Sequence, residues 1–342
     1  MPSQGAQALA GESLPGTVRA LRLVDRFDLL ELLSLVHPTT YPLTVKKVTI
    51  YGLLFVGVFA CSTSAIFIKS STEPSILVAA FRLLIASILL SPFYVWAFKK
   101  HRTQYSLRHL RATIWPGVIL GLHFITWITG VRYTLIANAT LIVTMTPVVM
   151  PFFLFFLFQQ KLTRAEWLGT MLAVIGVFVL TGSDFQFSTQ HFYGDMICLL
   201  SLVLLTYYLI LARIHRNIPS IWLYLVPLYF FAGLFCLLLT PLFRVNPIQI
   251  YPLREIAIFL GLALIPTVIG HSLFNYCMRH LPSQFVAIVT PCEFIIAGIL
   301  AYFFFQEVPQ WTFYAACLLL LTGIFAALKD QSEEFPTSDT EI

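Results

Sequence analysis

Ten apolar runs follow one another between residues 48 and 328, joined by short polar segments, and few folds accommodate such a chain. We place them at 48–68, 75–97, 113–131, 136–158, 166–182, 193–212, 221–243, 255–277, 283–305 and 311–328. Most match the roughly 20 residues an α-helix needs to cross a bilayer core, whereas a barrel strand would need only about 10 and would alternate. A soluble domain carries about 25% charged residues. This chain has 11%, with 58% hydrophobic, too little polar surface to hide such runs from water. The sequence predicts an all-α membrane protein of ten transmembrane helices, with the lipid bilayer as its main solvent.

The second half of the chain repeats the first. Shifted by 147 residues without a gap, Arg132 falls on Arg279, and Phe156, Phe158 and Gln159 fall on Phe303, Phe305 and Gln306. Leu172, Gly176 and Phe178 likewise fall on Leu319, Gly323 and Phe325. Each copy holds a basic residue, an apolar run broken by proline (Pro147 or Pro291), a polar joint (Gln159-Gln160 or Gln306-Glu307) and a last apolar run with a glycine. The repeats occupy residues 46–182 and 190–329. Five spans per copy is an odd number, so the second copy enters from the opposite side and the two five-helix repeats are inverted. Such repeats build alternating-access carriers with a substrate site near mid-membrane.

Positive charge orients the spans. With the N-terminus in the cytoplasm, inner segments collect thirteen Lys and Arg, Lys46, Lys47, Lys99 and Lys100 among them, against four outside: Lys69, Arg132, Arg244 and Arg254. The rule that cytoplasmic loops are basic then predicts a multi-pass protein of the cell (inner) membrane with both termini cytoplasmic. The same loop clustering accounts for the net charge of +5 without a nucleic-acid partner. Residues 1–45 stand apart: a Gly, Ser, Gln and Pro-rich start precedes a short amphipathic stretch too charged to span. They are read as a cytoplasmic extension, either disordered or an interfacial helix. The acidic tail at 330–342 is expected to be mobile.

Short motifs carry a family resemblance. Cys61-Ser-Thr-Ser-Ala-Ile-Phe-Ile-Lys69 resembles the end of the first span, and Val78-Ala-Ala-Phe-Arg82-Leu-Leu-Ile-Ala86 the second span, of EamA-like members of the drug/metabolite transporter superfamily. Pro147 through Gln160 to Gly169 and Gly176, and Glu293 through Glu307 to Gly323, resemble the two copies of that family's repeat. The chain departs from the pattern at Cys61-Ser62 (usually Trp-Gly), at Gln160 (usually acidic) and at Phe294 (usually proline). The resemblance implies transport of a small polar organic solute through a cavity lined by spans 1, 3, 4, 6, 8 and 9. Spans 5 and 10 would then be scaffold or the surface of a homodimer.

Charges inside spans are the sharpest candidates, because an ionisable group at mid-bilayer costs about 2.5–3.5 kcal/mol on insertion scales. Arg82 and Glu293 are the two deep ones. Either they line the cavity, Glu293 for a proton or substrate amine and Arg82 for a carboxylate or phosphate, or they are structural glue. His123 and Trp127 share a helix face, as do His271 and Asn275, and the gapless shift brings His123 within one position of His271. Asn138 and Thr144 lead up to Pro147, where a helix break would free carbonyls, and Tyr207 joins the list of candidate substrate-binding residues. The six cysteines lie in apolar runs without a CxxC, so they read as packing residues, and no His, Asp or Cys set has metal-ligand spacing. No phosphate-binding loop, dinucleotide fingerprint, HExxH or GxSxG motif occurs, so no cofactor is expected. The leading expectation is a non-enzymatic, secondary-active transporter of a small polar metabolite, an amino acid or related compound. The alternatives are a broad exporter of cationic or amphipathic drugs and, from another class, a membrane-embedded lipid-head-group enzyme or a non-transporting assembly partner.

Overall fold

The computed structural model describes residues 47–159, 164–280 and 290–333, and every regular element among them is helical. The expected extension at 1–45, the start of the ninth run (283–289), Gln160 and the tail beyond Glu333 lie outside the described residues. In chain order the main helices are α1 (Lys47–Ser62), α2 (Ser64–Ser70), α3 (Ser75–Lys100), α4 (Ile114–Tyr133), α5 (Ile136–Val143) and α6 (Thr146–Phe158). The chain continues with α7 (Arg164–Phe187), α8 (Thr189–Ile214), α9 (Ile221–Leu239) and α10 (Leu253–Leu262). A π-helical segment over Ala263–His271 leads into α11 (Ser272–His280), followed by α12 (Cys292–Phe305) and α13 (Trp311–Glu333). The last helix carries residues 330–333 that the sequence assigned to the tail. Among the described residues seven stretches are long and apolar enough to cross a membrane, and three shorter apolar helices (Trp167–Gly182, Cys292–Phe305 and Trp311–Gly323) accompany them.

Three interruptions shape the bundle. The first span breaks at Thr63, between α1 and α2. The fourth stops at Val143 and restarts at Thr146, so Pro147 opens the first turn of α6 instead of kinking a continuous helix. Proline suits that place because its missing N–H is unpaired there anyway. Pro291 does the same work as the N-cap of α12. In the eighth span Pro266 has no N–H to give and crowds the preceding turn, and the backbone widens to a π-helix.

The two repeats pack as a pseudo-twofold pair. Helix α7 lies along α13, α3 along α9 and α5 along α12, while α1 against the π segment is mirrored by α8 against α4. At Gly270 an added Cβ would sit 2.5 Å from Cys61 Sγ, and at Gly130 it would sit 2.5 Å from Cys198 Sγ, so the same close approach occurs twice. These contacts set Cys61 against Cys198, 137 apart, and Gly130 against Gly270, 140 apart. The shift of 147 holds later, where Gln159 and Gln306 both end their helices in the left-handed region at φ 56°. His123 and His271 are therefore not repeat equivalents. The gapless shift of 147 fails in the third span, where the offset is 140 and seven further residues are gained only between there and the end of the fourth.

Spans 5 and 10 close each repeat through glycine. A Cβ on Gly323 would lie 2.5 Å from the Gly169 carbonyl oxygen, and one on Gly176 would lie 3.2 Å from that of Ala316. Backbone cannot retreat as a flexible side chain can. Gly323→Ala should therefore destabilise the protein by about 1–3 kcal/mol, as overpacking does. A lowered melting temperature in detergent would show it. Gly52→Ala, with open space within 4 Å of the new methyl, should not lower it.

Candidate functional site

A cavity opens between the repeats, and six spans wall it. From the first repeat come Cys61 and Ser64 of the first span, His123 and Trp127 of the third, and Val143, Thr144, Thr146, Pro147 and Met150 at the break of the fourth. From the second come Leu205 and Leu209 of the sixth, His271 and Phe274 of the eighth, and Thr290 and Glu293 at the start of the ninth. These are the spans that the family resemblance implied. The interruptions explain the place: the fourth span is broken beside the cavity and the eighth reaches it at the end of the π segment, where irregular backbone is tolerated because it lines a space.

Five of the nine candidate residues meet in this wall: His123, Trp127, Thr144, His271 and Glu293. Glu293 is the only Asp, Glu, Lys or Arg in it, and its carboxylate has no hydrogen-bond or ion-pair partner among the described residues. His123 is held from behind, with Nδ1 3.0 Å from the Ser201 carbonyl oxygen. A carbonyl only accepts, so that nitrogen carries the proton and Nε2 is left as the acceptor. His271 meets the Phe124 ring edge-on at 5.1 Å.

The other four candidates sit elsewhere. Arg82 is fully buried behind the wall, where Nε and Nη2 donate to Thr267 Oγ1 (3.1 and 2.9 Å) and Nη1 donates to Ser64 Oγ (3.2 Å). Its guanidinium lies 4.1 Å over the Phe124 ring. No carboxylate touches it among the described residues. Asn275 exchanges hydrogen bonds with Tyr208, through Nδ2 to the phenol oxygen at 2.8 Å and from the phenol to Oδ1 at 3.1 Å. Tyr207, one residue earlier, turns away to accept from Trp115 Nε1 at 3.2 Å and to stack on Phe153. Asn138 is buried near the start of α5. Cys61, Ser64, Met150 and Phe274 line the cavity without having been singled out from the sequence. For Ser64 a signal is present in the hydroxyl run Ser62-Thr63-Ser64 inside an apolar span.

The two repeats are tied together at one end of the bundle. In spans 6 and 8, which run away from the Lys69 end, the lining residues lie in the later half of each span, and in span 4 they straddle the helix break at its middle. At the Lys69 end itself, Lys69 forms an ion pair with Glu307 and donates to the Thr134 carbonyl at 2.8 Å. The other Glu307 oxygen accepts the Ile136 N–H at 2.8 Å, capping α5. Lys69 thus ties the two repeats together, instead of reaching for headgroups as its position at a span end implies. Nearby, Glu255 accepts from Ser71 Oγ (2.6 Å) and from the Thr72 N–H (3.0 Å), and Arg254 donates to the Ser70 carbonyl (2.6 Å).

A family model described as the EamA-like transporter family matches residues 48–182 and again 192–328, one match per repeat. A solved structure described only as "Crystal structure of protein" superposes with a TM-score of 0.61 at 17% identity, covering 85% of this chain and all of that one. At that identity the likeness speaks for the fold alone. No curated protein matches the chain.

Proposed function

The chain belongs to the EamA-like transporter family, and from that premise we propose that it is a secondary-active carrier of a small polar metabolite, an amino acid or related compound. It would work by alternating access between the inverted repeats. We count the three shorter apolar helices as spans, giving ten, and place the protein in the cell membrane with both termini cytoplasmic. The Lys69 end then faces outward.

One observation carries the reading: a mainly apolar cavity with a few polar side chains lies between the two repeats, walled by both, and an ion pair ties the repeats together at the Lys69 end. Rocking one repeat against the other about that cavity would move its opening from one side to the other. Glu293 offers a carboxylate for an amine or a proton, the histidines and threonines offer hydrogen bonds, and Trp127, Met150 and Phe274 offer apolar contact. A second reading, export of organic cations, draws on Glu293 as the sole formal charge in the wall.

Uptake into proteoliposomes of a labelled panel of amino acids, nucleosides, S-adenosylmethionine, sugar phosphates and a lipophilic cation tests this, with a pH gradient and counter-exchange run in parallel. Saturable uptake of amino acids is expected. Uptake of the cation alone would favour the second reading, and silence across the panel with folded protein would overturn both.

A further inference from the structure

We infer that Ser64, polarised by Arg82 behind it, is the subsite that reads a substrate carboxylate. The inference rests on the carrier reading above and concerns how the same cavity selects its substrate.

The hydroxyl of Ser64 is unusual among those in the spans. Ser62, Ser70, Thr126, Thr129, Thr140 and Thr206 each donate to the carbonyl four residues back. This is the ordinary way for a hydroxyl to be satisfied in an apolar helix. For Ser64 that carbonyl is Ala60, and Thr63 already occupies it twice, with its hydroxyl at 2.7 Å and its N–H at 3.3 Å. The one hydrogen bond that Ser64 makes among the described residues is the one it accepts from Arg82 Nη1 at 3.2 Å. A guanidinium only donates. The serine proton is therefore uncommitted, and Ser64 lines the cavity.

Arg82 supplies the other half of the case. It is 0% exposed, its hydrogen bonds go to two neutral hydroxyls, and Thr267 is already oriented by donating to the Leu262 carbonyl at 2.8 Å. A buried cation without a counter-ion is costly unless an anion comes to it. The cavity beyond Ser64 is where an anion can arrive. A hydrogen bond from Ser64 would pass on the pull of Arg82, since linked hydrogen bonds polarise one another. One hydroxyl backed by one withdrawn cation suits a single negative charge better than a phosphate dianion.

Glu293 stands close by, because Ser62 Oγ reaches its backbone oxygen at 3.3 Å. A donor for a carboxylate and an acceptor for an ammonium thus share one small wall, as an amino acid requires. The apolar remainder, Trp127, Met150, Leu205, Leu209 and Phe274, fits a medium or large apolar side chain. Arg82 acts through Ser64 and is a positioning residue.

Leucine, methionine and phenylalanine are the probes, each set against its own amide, which keeps the amine and side chain and lacks the carboxylate. In proteoliposomes of the full chain, each acid should compete for labelled uptake at least ten-fold better than its amide. Ser64→Ala should bring that ratio close to one by weakening the acid, and Ser64→Thr, which keeps the hydroxyl, should preserve most of it. Arg82→Lys should lower the ratio in the same direction. Equal competition by acid and amide in the unmodified protein would overturn the inference, as would an unchanged ratio in Ser64→Ala, while saturable uptake would leave the carrier reading standing. No uptake of any probe would overturn the inference together with the assignment of amino acids as substrates.

Discussion

Glu293→Gln is expected to cut transport of amine-bearing substrates ten- to hundred-fold while leaving the protein folded. The substitution keeps the size and shape of the side chain and removes only its charge. A hydrogen bond to a charged group contributes about 1.5–3 kcal/mol, and each 1.4 kcal/mol is about ten-fold in affinity. Stability should not fall, because the carboxylate has no partner among the described residues to lose. A carboxylate set in an apolar span without a partner is instead a destabilising feature, kept for something that visits it. The measurement is the concentration for half-maximal uptake in proteoliposomes, with the melting temperature alongside. Unchanged uptake would remove Glu293 from the site. A lowered melting temperature with proportionate loss of uptake would make it structural glue.

What the sequence reveals of this protein follows from what lipid demands of a chain. Apolar runs of span length are unavoidable in a bilayer, so the spans in the described residues are legible to within about five residues: the sequence places the second at 75–97 and the helix is Ser75–Lys100. Glu293 and Arg82 stand out because charge is rare there. Which way a side chain turns is far less legible. In a helix apolar on every side there is no polar face to give the phase. Tyr207 and its neighbour Tyr208 are therefore indistinguishable in sequence, although Tyr208 is the one locked onto Asn275 inside the bundle. Arg82 reads as deep in the sequence and is deep in the structure, yet nothing local says that its guanidinium faces Thr267, 185 residues away. The hydroxyl run Ser62-Thr63-Ser64 does not single out Ser64 as a site, because a serine in a span is normally satisfied by its own helix. Only the structure shows that Thr63 has taken the carbonyl it would use.

Breaking the Lys69–Glu307 pair should loosen the two repeats at the Lys69 end and ease access to the cavity from there. The two side chains are only 17% and 14% exposed, and each has a second bond, Lys69 to the Thr134 carbonyl and Glu307 to the Ile136 N–H. The pair therefore lies between a surface bridge and a fully buried one, and its loss should cost the closed state about 1–3 kcal/mol. That corresponds to roughly a 5- to 100-fold shift in the balance between the two orientations. Lys69→Met should act more strongly than Glu307→Gln, because a glutamine can still accept the Ile136 N–H, whereas removing the lysine leaves a carboxylate unneutralised. Cys61, 5% exposed in the cavity wall, is a native reporter. A membrane-impermeant thiol reagent added from the Lys69 face should label the Cys61 peptide slowly in the unmodified protein and faster in each single variant, as read by mass spectrometry. The exchanged pair, Lys69→Glu with Glu307→Lys, should recover part of the protection, since the attraction returns although the two backbone bonds do not. Equal labelling in all four proteins would show that this end is held shut by packing alone. Recovery in the exchanged pair would identify the ion pair itself as the lock whose opening alternating access requires.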